Sequence, residues 1–421
     1  MVLALGLVVR TLFISLHDRP LISDEREYDQ LAHNLAERGT YSYDDIPTAY
    51  RPVGYPAIAG AVYSLVGHHP IAVKFLQALL DTCGAFLLYL LLAPRSVRAA
   101  VLAALLWAIF PPAVFYTNLL MSESLFTFLL LLTLVLLAQA GPSRRWIWIL
   151  LGLAFGVLIL MKPGATLILV VPIVLYRRLL SSWRDVALTI ACAFLVVAPW
   201  IARNWITFGE PAVSSNGGVN LLIGNHPGAT GAYNLGFDPS IMSGAPNEFE
   251  AERRAARVAW EYITGNPATF AVNAVKKLAH FFESESGLLV WTFHPQPETP
   301  SIRFGVKYRQ IPLVVSLFTN IPYFLIVLGG ILGFVASNRD VAWWASLLLG
   351  GIWICMHLLF FAGSRFHFPL MPVAAAYAAL ALASPLSTLR GLTTPRIAIW
   401  LIASGLLLTL WTFEGLTIFN A

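Results

Sequence analysis

The stretch LISDEREYDQLAHNLAERGTY, residues 21–41, follows directly on the apolar run Met1–Leu16. It places Asp24, Glu25, Glu27, Asp29 and Glu37 in a chain of 421 residues that is 58% hydrophobic and only 12% charged. A soluble domain carries about 25% charged residues. So many carboxylates just past a greasy segment mark the point where the chain leaves a membrane. Within the stretch, Ser23 is placed to cap a helix with the apolar stripe Tyr28, Leu31, Ala32 and Leu35, and Gly39 to stop it.

The rest of the chain agrees with this reading. Its mean hydropathy is +0.72, and apolar runs recur along its length. The fold class is an all-α polytopic membrane protein. About eleven spans are expected, near residues 1–16, 70–92, 98–115, 121–140, 146–161, 164–180, 186–205, 311–336, 341–362, 366–386 and 397–415. Met1–Leu16 lacks a basic leader and a small-residue cleavage site, so it reads as a short first span rather than a signal peptide.

Two long polar connections remain, residues 17–69 and 206–310. The five short connections APRSVR, GPSRRW, YRRLLSSWRD, SNRD and LRGLTTPR hold ten Arg and two Asp, and alternation puts all five on one side. That side is the cytoplasm by the positive-inside rule. Both long loops therefore face outward, and the first holds eight acids against four Arg. Three units follow: an N-terminal transmembrane module, 1–205, containing the first external loop; a small mixed extracytoplasmic domain, 206–310; and a C-terminal transmembrane module, 311–421. Helices are expected at 247–263 and 267–282. The expected location is the plasma (inner) membrane, with the site facing the periplasm or cell exterior.

Several function classes are excluded. The net charge of +5 is scattered over isolated arginines and forms no basic stripe for nucleic acid. Cys83, Cys192 and Cys355 lie inside apolar runs without metal spacing, so no disulfide is expected. No Walker or GxGxxG loop is present. The histidines show no ligand pattern on one helix.

What remains is a set of ionisable groups at the outer ends of the spans: Asp24 and Glu25, Arg51, Glu123, Lys162, Arg203 and Arg365. Each has a plain structural explanation. Acids favour the first turn of a helix, and Arg or Lys anchors at the interface. Arg365, however, sits on the external side between two spans with almost no loop. Charged groups near lipid pair with one another or line a wet cavity. Together they suit transfer from a phosphorylated lipid: a carboxylate takes a proton from an acceptor hydroxyl, and Arg or Lys holds the leaving phosphate. Deeper in the membrane, Arg10 and Asp81 are expected to form a buried pair, with Lys74 as the alternative partner.

The ordered motifs ISDEREYDQLAHNLAERGTY, YRPVGYP, MSESLF, KPG, ARNWITFGEPAVSSNGGVNLLIGNHPGATGAY and SRFHFPLMP resemble the GT-C membrane glycosyltransferases. The likeness is to the superfamily of protein O-mannosyltransferases and the lipid A aminoarabinose transferase. It implies an inverting transfer of a sugar from a polyprenyl-phosphate donor to an acceptor hydroxyl on a glycolipid, glycan or protein, among membrane lipids. It also implies Asp24, Glu25 and Glu123 as catalytic acids, with Asp24 the base, and Arg51, Arg365 and Lys162 as donor-phosphate ligands. Tyr50, Tyr55, His367 and Asn225 are further pocket or acceptor candidates. The chain departs from the family pattern at Val53, where a second proline is usual, and at Tyr50, where the aminoarabinose branch tends to have an acid. It shows no counterpart of the β-trefoil domain of eukaryotic protein mannosyltransferases, which favours a glycolipid or envelope glycan as acceptor. No cofactor and no metal ligand set is expected, with a divalent metal left as an alternative. The rival classes are a lipid or solute transporter and a lipid-linked glycan polymerase or ligase.

Overall fold

The computed structural model describes residues 1–141, 144–179, 182–294 and 308–420, of which 418–420 are described by backbone alone. The described chain is almost entirely helical. In order it runs α1 (Val2–Leu16), α2 (Asp24–Arg38), α3 (Gly54–Val66), α4 (Pro70–Leu92), α5 (Val97–Ala108), α6 (Pro111–Thr117), α7 (Glu123–Gln139), α8 (Arg145–Met161), α9 (Val170–Leu175) and α10 (Trp183–Phe208). Then follow α11 (Gly217–Gly224), α12 (Glu248–Gly265), α13 (Pro267–Phe281), α14 (Ser286–Phe293), α15 (Leu313–Ala336), α16 (Val341–Leu359), α17 (Met371–Ala383), α18 (Pro385–Arg390) and α19 (Thr394–Asn420). Two short antiparallel strands, β1 (Ser42–Tyr43) and β2 (Ile46–Pro47), close a hairpin in the first loop.

Six helical segments are long and apolar enough to cross a membrane: Pro70–Leu92, Trp183–Phe208, Leu313–Ala336, Val341–Leu359, Ser364–Ala383 and Thr394–Thr417. Helices α5 and α6, which bend by 51° at a short break, pass the same test only as a pair and count as a seventh span if the two form one broken crossing. The protein is thus a multi-pass membrane protein, with six or seven full-length span candidates among the described residues by length and composition. Pro111 and Pro112 interrupt one apolar run, and Lys162–Pro163 ends another, leaving a 3-10 turn at Pro163–Leu169. Helices α1, α7 and α8 are apolar but only 15, 17 and 17 residues long.

The main core is Leu- and Ala-rich and runs through α4, α5, α7 and α8, with Trp107, Phe126 and Trp353 fully enclosed. Arg10 and Asp81 form the anticipated pair at 2.6 Å, and Asp81 is taken by Arg10 rather than Lys74. Arg10 also donates to the carbonyls of Gly6, Trp107 and Ala108, so α1, α4 and α5 are tied at one point.

Helix α2 forms where its periodicity places it. Tyr28, Leu31 and Ala32 face inward and the helix packs on α3. Gly60 lets the two backbones approach, since a Cβ there would lie 2.9 Å from the Ala32 carbonyl. Gly39 ends the helix at φ 65°. Ser23 does not cap it through its side chain. Its backbone takes φ 44°, a strained conformation for a non-glycine residue at the threshold of Asp24.

The described part of the second loop, where a mixed domain is expected, carries helices and no strand; residues 295–307 lie outside the described part. These helices are stitched to the rest of the chain. Ser215 N donates to the Ala49 carbonyl at 3.1 Å, and Ala362 N to the Gly231 carbonyl at 3.0 Å. The buried Lys277 ammonium donates to Asn225 Oδ1 at 2.9 Å and to the Leu359 carbonyl at 3.1 Å, at the C-terminal end of α16. Gly224 lies against this joint so closely that a Cβ would stand 1.7 Å from the Phe360 carbonyl.

Candidate active site

Asp24 opens α2 and sits at the centre of an ion cluster. Its Oδ1 accepts from Arg51 Nη2 at 2.7 Å and its Oδ2 from Arg365 Nη1 at 2.9 Å. Glu27, one turn further along the same face, accepts from Arg51 Nε at 2.6 Å. Arg51 is delivered by the turn before α3, where its carbonyl accepts from the Tyr41 hydroxyl at 2.8 Å. Its guanidinium also lies over the Tyr28 and Tyr50 rings, at 5.7 and 5.5 Å. Arg365 is carried by the 3-10 turn Ser364–Phe366 and stacks on Phe366 at 4.9 Å. That turn is held by Glu283, which accepts from Ser364 N at 3.0 Å.

Burial pushes the Asp24 carboxyl up, but the charges of Arg365 and then Arg51 outweigh it. The net effect is a pKa below the usual carboxylate value. Burial likewise raises the Tyr28 phenol, to about 12.

Glu123 opens α7 and pairs with Lys162 Nζ at 3.3 Å. It is 3% exposed, and its Oε2 has no hydrogen-bond partner. Lys162 ends α8 and lies over the Phe126 and Phe366 rings.

Two cavities meet at the ion cluster, and Asp24, Arg51 and Arg365 line both. The larger encloses about 810 Å³ and reaches Tyr50, Tyr116, Tyr233, Glu283, Trp291 and Glu414. The smaller encloses about 250 Å³ and reaches Tyr28, Glu123, Lys162, Asn216, Trp353 and Met356. The site therefore offers a carboxylate, a cluster of cations and two adjoining compartments.

Five of the residues singled out in the sequence lie off these cavities. Glu25 points from the opposite face of α2 into the protein and is 0% exposed. It accepts both Arg19 guanidinium nitrogens, at 2.7 and 2.6 Å, with Leu120 N at 2.9 Å, Ile22 N at 3.3 Å and Trp291 Nε1 at 3.3 Å. Tyr55 donates to Gln77, which donates to the carbonyls of Thr117 and Leu119. Asn225 holds the Lys277 joint. His367 is buried between the Phe281 carbonyl and Glu285, at 2.7 and 3.0 Å. Arg203 binds the carbonyls of Tyr41 and Thr48 and so ties α10 to the first loop.

Sequence reasoning assigned no role to Glu27, Glu283, Glu414 or Trp291. Glu414, an acid inside an apolar run, was the available signal. Among the described residues no group of three His, Cys, Asp or Glu side chains is placed to hold a metal ion. The acids of the cluster are turned onto Arg51, Arg365 and Lys162 instead.

This architecture has the fold of solved oligosaccharyltransferase structures. The oligosaccharyltransferase of Archaeoglobus fulgidus in its apo form superposes with a TM-score of 0.51 at 16% identity, over 96% of this chain and 54% of that one. Its complex with zinc and sulfate gives 0.52 at 15% identity, over 96% and 51%. The chain thus spans about half the length of these structures. ArnT from Cupriavidus metallidurans aligns at 17% identity over 91% of this chain and 76% of that one, with a TM-score of 0.44. Residues 50–203 match the family described as dolichyl-phosphate-mannose-protein mannosyltransferase, a stretch that carries Arg51, Glu123 and Lys162. No curated protein sequence matches the chain.

Proposed function

We propose that the protein is an inverting glycosyltransferase that moves a sugar from a polyprenyl-phosphate donor to an acceptor hydroxyl at the extracytoplasmic face of the plasma membrane. A glycolipid or envelope glycan is the acceptor. The observation that carries this reading is the position of Asp24, which lines both cavities and is gripped by two arginines. The family match over residues 50–203 supports the chemistry. The fold supports it only as a class, because one fold hosts many activities.

In this reading the donor phosphate enters the smaller cavity and is held by Arg365, Lys162 and Arg51 as charge-assisted ligands. Both Asp24 oxygens are occupied by arginines in the structure, so Asp24 is a weak base as it stands. The phosphate draws the guanidiniums toward itself and frees a carboxylate oxygen. The acceptor hydroxyl, arriving through the larger cavity, gives its proton to Asp24 while its oxygen attacks the anomeric carbon. The anomeric C–O bond to phosphate breaks, and polyprenyl phosphate leaves with the electron pair, its charge stabilised by the same cations. Configuration inverts. Glu123 orients Lys162. Glu25 anchors α2 from behind and positions Asp24 without touching substrate.

A transport reading rests on Arg10 and Asp81, and both are buried and bonded to each other. The deciding experiment supplies purified protein in nanodiscs with lipid-linked sugar donors extracted from native membranes. Release of polyprenyl phosphate coupled to appearance of a glycosylated product, lost in Asp24→Asn, is the expected result. Near-wild-type turnover in that variant refutes the assignment of the base. Lipid translocation in proteoliposomes without sugar transfer refutes the class.

A further inference from the structure

The larger cavity bears on what the acceptor is, an inference that rests on the transferase reading above. We propose that it is a subsite for an uncharged glycan, recognised by aromatic faces and carboxylates, and that it rejects phosphorylated or otherwise anionic acceptors.

Its volume of about 810 Å³ falls in the range of roughly 300–1,000 Å³ in which pockets enclose a small ligand. Tyr50, Tyr116, Tyr233 and Trp291 line it. Flat aromatic rings with a polar tip suit a sugar, whose C–H faces pack on the ring while its hydroxyls meet the tip. Tyr116 is the most telling of these. It is 3% exposed, stacks on Phe368 at 4.1 Å and lines the cavity, so its ring is held in place for a ligand to pack on.

Two carboxylates stand on the same lining, Glu283 and Glu414. Glu283 accepts from Ser364 N at 3.0 Å and from His280 at 2.9 Å. Glu414 accepts from Ser284 N at 2.8 Å, Ser284 Oγ at 2.6 Å and Ser286 Oγ at 3.2 Å. Each carboxylate has about four lone-pair sites, so both retain capacity for sugar hydroxyls. The cations on the lining are already committed. Arg51 and Arg365 hold Asp24 and, in the reaction above, the donor phosphate; His280 is bound to Glu283; and among the described residues no lysine lines the cavity, which leaves His294. An anionic acceptor entering here meets no uncommitted arginine or lysine among the described residues and faces two carboxylates, whereas a neutral polyol meets acceptors and aromatic faces.

The test is saturation-transfer NMR on the full chain in nanodiscs. Maltotriose, cellotriose and mannotriose serve as neutral probes, mannose 6-phosphate and glucose 1-phosphate as anionic ones, and an acetylated Ser/Thr-rich peptide as the protein surrogate. At least one neutral trisaccharide is expected to bind, with the signal lost in Tyr233→Ala. Anionic sugars are expected to bind about tenfold more weakly, because like charges repel in a partly desolvated site. Glu414→Gln should narrow that gap, and so should Glu283→Gln. Three results overturn the proposal: anionic sugars binding as well as or better than neutral ones, the peptide binding where no sugar does, or no neutral probe binding at all. Undecaprenyl phosphate is titrated in the same preparation. Loss of its dependence on Arg365 counts against the transferase reading itself, whatever the sugars do.

Discussion

Asp24 Oδ2 and Arg365 Nη1 stand 2.9 Å apart although 341 positions separate the two residues in the chain. The contact joins α2 to the turn before α17, so the acid and its cation come from distant parts of the chain. Replacing Asp24 by Asn removes the proposed base and one partner of each arginine. Transfer is expected to fall by at least ~10²-fold, the lower end of what a general base contributes. Affinity for undecaprenyl phosphate should hold or tighten, because the guanidiniums are released to bind it. Turnover and lipid-phosphate titration on one preparation separate the two effects.

Arg51 and Arg365 together depress the Asp24 pKa below its ordinary value of 3.8. A carboxylate with a depressed folded-state pKa contributes stability above its unfolded pKa and loses it as pH falls through the folded one. The acid limb of kcat/KM is likewise expected below the usual carboxylate range. Arg51→Gln removes one of the two cations, so that limb should move to higher pH. A pH–rate profile of the two proteins checks the direction, and an unmoved limb counts against Asp24 as the titrating group.

Glu25 and Asp24 are neighbours, yet their substitutions should read out differently. Glu25→Gln leaves Arg19, fully buried beside it, without its counter-charge. Breaking one partner of a buried pair costs about 3–5 kcal/mol. A lower unfolding temperature in detergent is expected, with residual specific activity in whatever remains folded. An unchanged melting temperature with abolished transfer assigns Glu25 to the chemistry instead.

The Arg10–Asp81 pair predicts strong coupling. Arg10→Met alone leaves a buried carboxylate and should destabilise by about 3–5 kcal/mol, while adding Asp81→Leu should recover much of the loss. Additive single effects in denaturant unfolding rule the pair out as an energetic unit.

Lys277 gives a prediction of the same sign as Asp24, in an alkaline window. Burial lowers its pKa from 10.5 to about 8. Between these values the unfolded chain binds the proton and the folded chain does not, so this residue adds stability as pH rises from about 8 to 10.5. Lys277→Met should remove that rising increment from the pH dependence of thermal unfolding.

The sequence reveals these relationships unevenly. Hydropathy and arginine placement expose the membrane helices, because lipid imposes length and composition locally. Proline and Lys162 break apolar runs that a window average reads as continuous, since such an average does not see a chain break. Asp24, Arg51 and Arg365 can be picked out one by one, as charges at the outer ends of spans. Glu25 looks like Asp24's twin in one dimension. Its burial is set by partners such as Leu120 and Trp291, 95 and 266 residues away, which no local pattern reports. Glu27 was within reach, since a spacing of three puts it on Asp24's face of α2.

Because Glu25 clamps the start of α2 from behind while Asp24 faces the cavities from the next position, the carboxylate is mounted on a stationary post. The two arginines reach it on long, pliable stems. In the proposed reaction, adjustment to a lipid headgroup falls to the guanidinium arms and not to the acid, so the nucleophile meets a fixed reference point.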